Sequence, residues 1–179
     1  QVRLCKNRLF RANDARRLAV HEIGVHALRA ANGYKQPLKL FATGLPKYLA
    51  TEEGLAAYAE RCSGVQDIGT LRRYAAEAIA VDSVLLGHDF RETYDRLRDL
   101  RVGDEPFKTV LRAHRGGGYI KDHVYLQGVQ EIERFASSDG DFKTLYAGKI
   151  GLADLPFIRP LLADGTFIPA TCLPTWVKR

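Results

Sequence analysis

The stretch from Leu18 to Ala31 constrains this chain most, because Leu18, Ala19, Val20, Ile23, Val25, Ala27, Leu28, Ala30 and Ala31 leave it without a wholly polar face. A helix that is apolar all round belongs in a core. The same stretch holds His21, Glu22 and His26, and burying two imidazoles and a carboxylate is costly unless they are paired or bind a metal. A lone histidine could be satisfied by a backbone carbonyl, with Glu22 turned to solvent or to Arg17, but three such groups within six residues call for more. The segment Thr51-Glu52-Glu53-Gly54-Leu55-Ala56 supplies further carboxylates. Two imidazoles and a carboxylate, with another carboxylate to spare, form the inventory of a zinc hydrolase. The plainer reading of that second segment is a helix start, with Thr51 as its cap and Glu52 and Glu53 stabilised in the first turn by the helix dipole.

The two histidines stand five residues apart. In a regular α-helix that is about 140° around the axis, against about 40° for the four-residue spacing of the familiar metalloprotease helix. Regular geometry therefore splays the rings. An extra residue absorbed as one wide turn brings them back together, a distortion that tends to occur at functional sites, and Gly24 lowers its steric cost.

Taken together, His21-Glu22-Ile23-Gly24-Val25-His26, the following Arg29-Ala30-Ala31-Asn32-Gly33-Tyr34, the Glu52-Glu53-Gly54-Leu55-Ala56 segment and the run from Arg115 through three glycines to Tyr119, Lys121, His123, Tyr125 and Gly128 resemble the QEGLA-motif family. That family includes bacterial proteins and the microtubule-associated tyrosine carboxypeptidases. The resemblance runs from about Arg8 to Gly128. It implies that His21, His26 and Glu53 hold zinc and that Glu22 is the general base. A wider resemblance, to dipeptidyl-peptidase-III-like enzymes, rests on the longer histidine spacing and the doubled glutamate. Two positions depart from these patterns: Glu52 stands where the family name has Gln, and Ala57 where the dipeptidyl peptidases place an acid behind a zinc ligand. The outer partners of the histidines are therefore left open.

With that ligand set, neutral His21 and His26 and ionised Glu53 leave a fourth position for water. Its pKa falls towards neutrality on zinc, and Glu22 can take its proton and pass it to a leaving amine. Such sites add a donor for the developing oxyanion, for which Tyr119, His123 and Tyr125 are candidates. The glycine run Gly116-Gly117-Gly118 permits close backbone approach to a ligand, but neither the dinucleotide fingerprint nor the Walker spacing is present. Arg112, Arg115 and Lys121, with Tyr119 beside them, are expected to clamp a substrate carboxylate, as a carboxypeptidase requires. A flexible hinge with solvated basic residues is the alternative.

The 179 residues can bury a sizeable core, and 46% apolar content is ordinary for a globular domain. No apolar stretch is long enough to span a bilayer, and no signal peptide precedes the first motif. The absence of methionine, including an initiator, suggests a fragment of a longer protein. Cys5, Cys62 and Cys172 are odd in number and far apart, which favours packed thiols in a reducing, cytoplasmic setting. The formal net charge of +6 favours an acidic partner, and an acidic peptide tail would suit a carboxypeptidase of the tubulin-processing type that the resemblance implies. Nucleic acid is disfavoured as a partner, because the basic residues are spread along the chain without interleaved aromatics.

The pattern predicts an α+β but predominantly α-helical, zincin-like domain: one catalytic unit over residues 1–179, with a small β element at Val2-Arg3-Leu4-Cys5 beside the motif helix. Asn13 or Asp14 caps that helix and Asn32-Gly33 stops it. Residues 34–50 form a loop, and helices follow at about 51–62, 67–86, 89–101, 104–114, 123–136, 139–147 and 152–163. Ile68, Leu71, Ala75, Ala78, Ile79 and Leu85 recur at core-packing spacing, and the tail from Phe167 is irregular. The functional expectation is a zinc metallopeptidase, a carboxypeptidase acting on a peptide or protein C-terminal tail. The alternatives are a zinc-dependent amidohydrolase or aminopeptidase with a small substrate, or a basic binding module without catalysis.

Overall fold

The computed structural model describes residues 10, 12–103, 105–115 and 123–177. Helix dominates them and, among the described residues, there is no β-strand. The expected strand at Val2-Arg3-Leu4-Cys5 and the glycine run 116–118 lie outside the described residues. Two compact units are present: Gln1–Gln66 with Gly128–Arg179, and Asp67–Gln127.

The first unit is built on one long helical run made of α1 (Ala12–Leu18), a π-helical segment (Ala19–Ala27) and α2 (Leu28–Lys35), followed by α3 (Leu40–Thr43) and α4 (Tyr48–Cys62). Asn13 and Asp14 sit inside α1 rather than capping it, because the helix already begins at Ala12. Gly33 does not stop the run either. It is buried inside α2, where a Cβ would stand 2.2 Å from the carbonyl oxygen of Phe41, so glycine is there for close packing. Asn32 and Gln36 turn the same helix face into a clasp. The Asn32 amide donates to the carbonyls of Tyr146 and Cys172, and Gln36 both donates to the carbonyl of Ile168 and accepts from its N–H. The irregular tail is thereby stitched to the motif helix.

Helix α4 starts three residues before Thr51 and buries nine of its fifteen residues. Thr51 is consequently no cap: it lies buried in the helix and its hydroxyl accepts from the N–H of Leu152 at 3.0 Å. Glu52 and Glu53 are past the first turn, so the dipole does not account for them. Small residues bring α4 close to its neighbours. A Cβ on Gly54 would meet the backbone of Gly128 at 2.1 Å, in the part of α8 (His123–Ser137) that belongs to this unit. Val25, Leu55, Ala56, Ala59, Ile132, Leu145, Tyr146 and Ile158 form the core, completed by α9 (Phe142–Leu145), a 3-10 turn (Leu152–Asp154) and α10 (Leu155–Ala163).

The second unit contains α5 (Ile68–Leu85), α6 (Phe90–Asp99) and α7 (Pro106–Arg115) around Ala76, Ala80, Leu97, Val110 and Ala113. A capping box, in which Asp89 and Glu92 exchange 2.8 Å bonds with each other's N–H, opens α6. The face of α5 differs from the expected one. Ile68 and Leu85 are 70% and 68% exposed, while Tyr74, Ala76, Ala80 and Val81 are buried. Apolar spacing found the edge of the buried face, where Ile79 packs against the core, and missed its centre because Tyr74, Thr70 and Glu77 share that face.

Candidate metal centre

In a π-helical segment each backbone bond spans five residues, so residues five apart lie one above the other. His21 and His26 accordingly stack edge to face, with ring centroids 4.8 Å apart. The wide turn has a backbone consequence. The N–H of Leu28 reaches back to the carbonyls of Ile23 and Val25, on either side of that of Gly24. The carbonyl of Gly24 is passed over, and the buried Tyr146 hydroxyl donates to it at 2.9 Å. Nothing presses on Gly24 itself, where a Cβ would find only the Ala19 carbonyl at 3.8 Å.

Helix α4 brings Glu53 to the same place. Its Oε2 stands 3.5 Å from Nε2 of His21 and 3.6 Å from Nε2 of His26, and the three groups can each offer a ligand atom within 4.8 Å of the others. Donors bound to one tetrahedral zinc at about 2.0–2.1 Å stand roughly 3.4 Å from one another. Both the spacing and the donor set, two imidazoles and a carboxylate, therefore fit a single zinc ion. His21 and Glu53 are buried and His26 is half-buried.

The far nitrogens of both rings are held. Nδ1 of His26 lies 2.9 Å from Oε1 of Glu52, which also receives Lys149 Nζ at 2.9 Å, while the other oxygen of Glu52 is paired with Arg29. Arg29 is itself fully buried and donates to the carbonyls of Leu145 and Gly148 at 3.0 and 3.1 Å. Nδ1 of His21 lies 2.8 Å from Oε1 of Glu60. Glu60 and Lys149 are not marked by any motif. The sequence trace that points to Glu60 is the seven-residue step from Glu53, which returns to one helix face; no such trace marks Lys149.

These contacts set the ionisation of the cluster. Burial works to lower the pKa of His21, but hydrogen bonds with Glu53 and Glu60 outweigh it and hold the imidazole at about 9. His26 is raised in the same way, with Glu52 and Glu53 acting against burial. Burial raises Glu52, yet Arg29, His26 and Lys149 bring it down to about 2. Glu53 is buried too, and both histidines hold it well below the usual carboxylate range.

Of the remaining expected residues, Glu22 lies half-buried on the π-helical segment between the two histidines. Tyr119 and Lys121 lie outside the described residues. Arg112, Arg115, His123 and Tyr125 belong to the second unit. There Tyr125 stacks on Tyr74 with centroids 4.8 Å apart, Arg112 lines a cavity of about 460 Å³ with Arg73, Glu77 and Lys108, and Arg115 and His123 are exposed at the ends of α7 and α8. Cys62 and Cys172 are free thiols. No helix among the described residues is long and apolar enough to cross a membrane.

The family model described as microtubule-associated tyrosine carboxypeptidase matches residues 1–179. Microtubule-associated tyrosine carboxypeptidase 1 of Homo sapiens is 31% identical over 166 residues, covering 83% of this chain and 34% of the relative. The Mus musculus protein of the same name is 32% identical over 167 residues, with the same coverage. The chain thus spans about a third of the length of the curated relatives it matches. No solved structure matches. A match along the whole chain places it in the microtubule-associated tyrosine carboxypeptidase family.

Proposed function

We propose that this chain carries the metal centre of a zinc-dependent carboxypeptidase that releases a C-terminal residue, tyrosine by the name of its relatives. The observation that carries the reading is the convergence of Nε2 of His21, Nε2 of His26 and Oε2 of Glu53. These three residues would hold the ion. Zinc bound there supplies Lewis acidity at an open fourth position. Glu22 is the general base: it takes a proton from the attacking water and returns it to the leaving amine nitrogen. Glu52 accepts the Nδ1 proton of His26, which leaves Nε2 unprotonated on the ligand side.

Arg112 and Arg115, with Lys121 and Tyr119, are the proposed clamp for the substrate's terminal carboxylate, and Tyr125 or His123 the proposed oxyanion donor. The substrate is a peptide or protein C-terminal tail, acidic by complement to the net charge of +6. The free thiols Cys62 and Cys172 support the proposed cytoplasmic setting.

Elemental analysis of the native protein beside Glu53→Ala and His26→Ala tests the ligand set without assuming a substrate. About one zinc per chain, absent from both variants, is expected. Peptides ending in free and amidated tyrosine then test the reaction, with Glu22→Gln as control. Cleavage of the free-ended peptides alone is the carboxypeptidase outcome. Equal cleavage of both would favour an amidohydrolase or aminopeptidase, and a native protein that takes up no zinc at neutral pH would end the hydrolase reading.

A further inference from the structure

Position 57, one helical turn beyond Glu53, is a fully buried alanine and offers the histidines no polar group. Three residues further along the same face is Glu60, whose side chain is fully buried. Its Oε1 is 2.8 Å from Nδ1 of His21 and 3.3 Å from Nη1 of Arg17. Its Oε2 is buried and, among the described residues, has no hydrogen-bond partner. Burying a carboxylate with one bare oxygen is expensive, so packing alone gives no reason for an acid at this position. The contacts that Glu60 does make go to one ring and to the cation that neutralises it.

We propose that Glu60, steadied by Arg17, is the positioning residue of His21. By accepting the Nδ1 proton it selects the tautomer whose Nε2 lone pair faces Glu53, and by fixing the ring plane it aims that lone pair. The inference rests on the zinc reading above and adds an asymmetry to it. Glu52, behind His26, is gripped by two cations, one of them anchored on backbone carbonyls of the core. Among the described residues the one cation paired with Glu60 is Arg17, a residue of α1, which buries none of its residues. The His21 arm is the weaker one, and the seating of α1 governs it.

The test is zinc affinity, measured by competition with a chromophoric chelator on the wild-type chain, Glu60→Gln and Arg17→Gln. Zinc binding is expected to weaken about 10–100-fold in Glu60→Gln and by a smaller factor in Arg17→Gln. The visible spectrum of the cobalt-substituted Glu60→Gln protein should also change, while far-UV circular dichroism does not; a residue that only packs would leave that spectrum alone. Glu60→Gln binding zinc within about twofold of wild type overturns the proposal while leaving the ligand set intact. A wild-type chain that binds no zinc fails the earlier reading first. If Glu60→Gln does not fold, nitrogen NMR of His21 in the zinc-loaded wild type decides: a proton on Nδ1 in slow exchange supports the assignment, and metal on Nδ1 or an unprotonated Nδ1 overturns it.

Discussion

Tyr146 donates its hydroxyl to the carbonyl of Gly24 at 2.9 Å, joining positions 122 residues apart in sequence. That carbonyl is the one passed over where the five-residue pairing of the π-helical segment gives way to α2. Tyr146→Phe takes the donor away from this part-buried carbonyl, a loss of about 1–3 kcal/mol. The melting temperature is expected to fall by about 2–10 °C, and zinc affinity to fall with it because the ring stacking of His21 on His26 depends on the wide turn. A variant that melts with wild type would show that the bond does not support the turn.

Chelation is expected to destabilise the protein. A ligand present at a hundredfold excess over its dissociation constant contributes about 2.7 kcal/mol, or about 5–10 °C for a chain of this size. Melting curves with zinc and with a chelator, on wild type and Glu53→Gln, make the comparison. The variant should show the same curve under both conditions.

Glu22→Gln should retain zinc and fold but lose about 10²–10⁴-fold in kcat, since it removes proton transfer without removing a ligand. Single-turnover hydrolysis of a tyrosine-ended peptide reads this out. Loss of bound zinc in the variant would instead make Glu22 part of the metal's surroundings.

The zinc-free protein should be most stable at about pH 4.5–6.5. His21 is raised from 6.5 to about 9, so its contribution is complete below 6.5 and is lost as pH rises towards 9. Glu52 is lowered from 4.5 to about 2, so its contribution is complete above 4.5 and is lost as pH falls towards 2. Zinc competes with the His21 proton and binds more tightly as pH rises, which offsets the alkaline loss. Melting temperatures from pH 4 to 9, with and without zinc, should diverge above pH 6.5; parallel profiles would contradict the coupling.

Gly54→Ala should be among the most damaging single substitutions, because the new methyl would stand 2.1 Å from the backbone of Gly128 and only movement of whole helices makes room. A cost of at least about 1–3 kcal/mol is expected from overpacking. Ala at Gly64, where nothing lies within 4 Å but φ is +65°, separates backbone strain from collision and should cost less.

Much of the centre can be read along the chain because its ligands lie in short local patterns. Five-residue spacing of His21 and His26 fits a wide turn, and the bounds of α5, α6 and α7 lie within two residues of those that Gly, Pro and Asp punctuation indicates, whereas Gly33 ends no helix. What escapes is whatever depends on how two helices face each other. Glu60 meets His21 only because α4 lies against the π-helical segment, and Lys149 meets Glu52 only because Arg29 gathers the carbonyls of Leu145 and Gly148. Thr51 misleads for a different reason: its residue type suits a cap, but the chain enters α4 at Tyr48, with Lys47 in the left-handed conformation at φ 64°.

The wide turn also changes what an insertion means. A residue added inside a helix normally rotates everything before it by about 100° against everything after it, and a two-ligand motif would not survive. Here the extra residue is taken up locally at the cost of one skipped carbonyl, and a single hydroxyl from a distant helix end donates to it. The four-residue and five-residue histidine motifs are thus neighbours in sequence space, separated by one inserted residue and one well-placed donor.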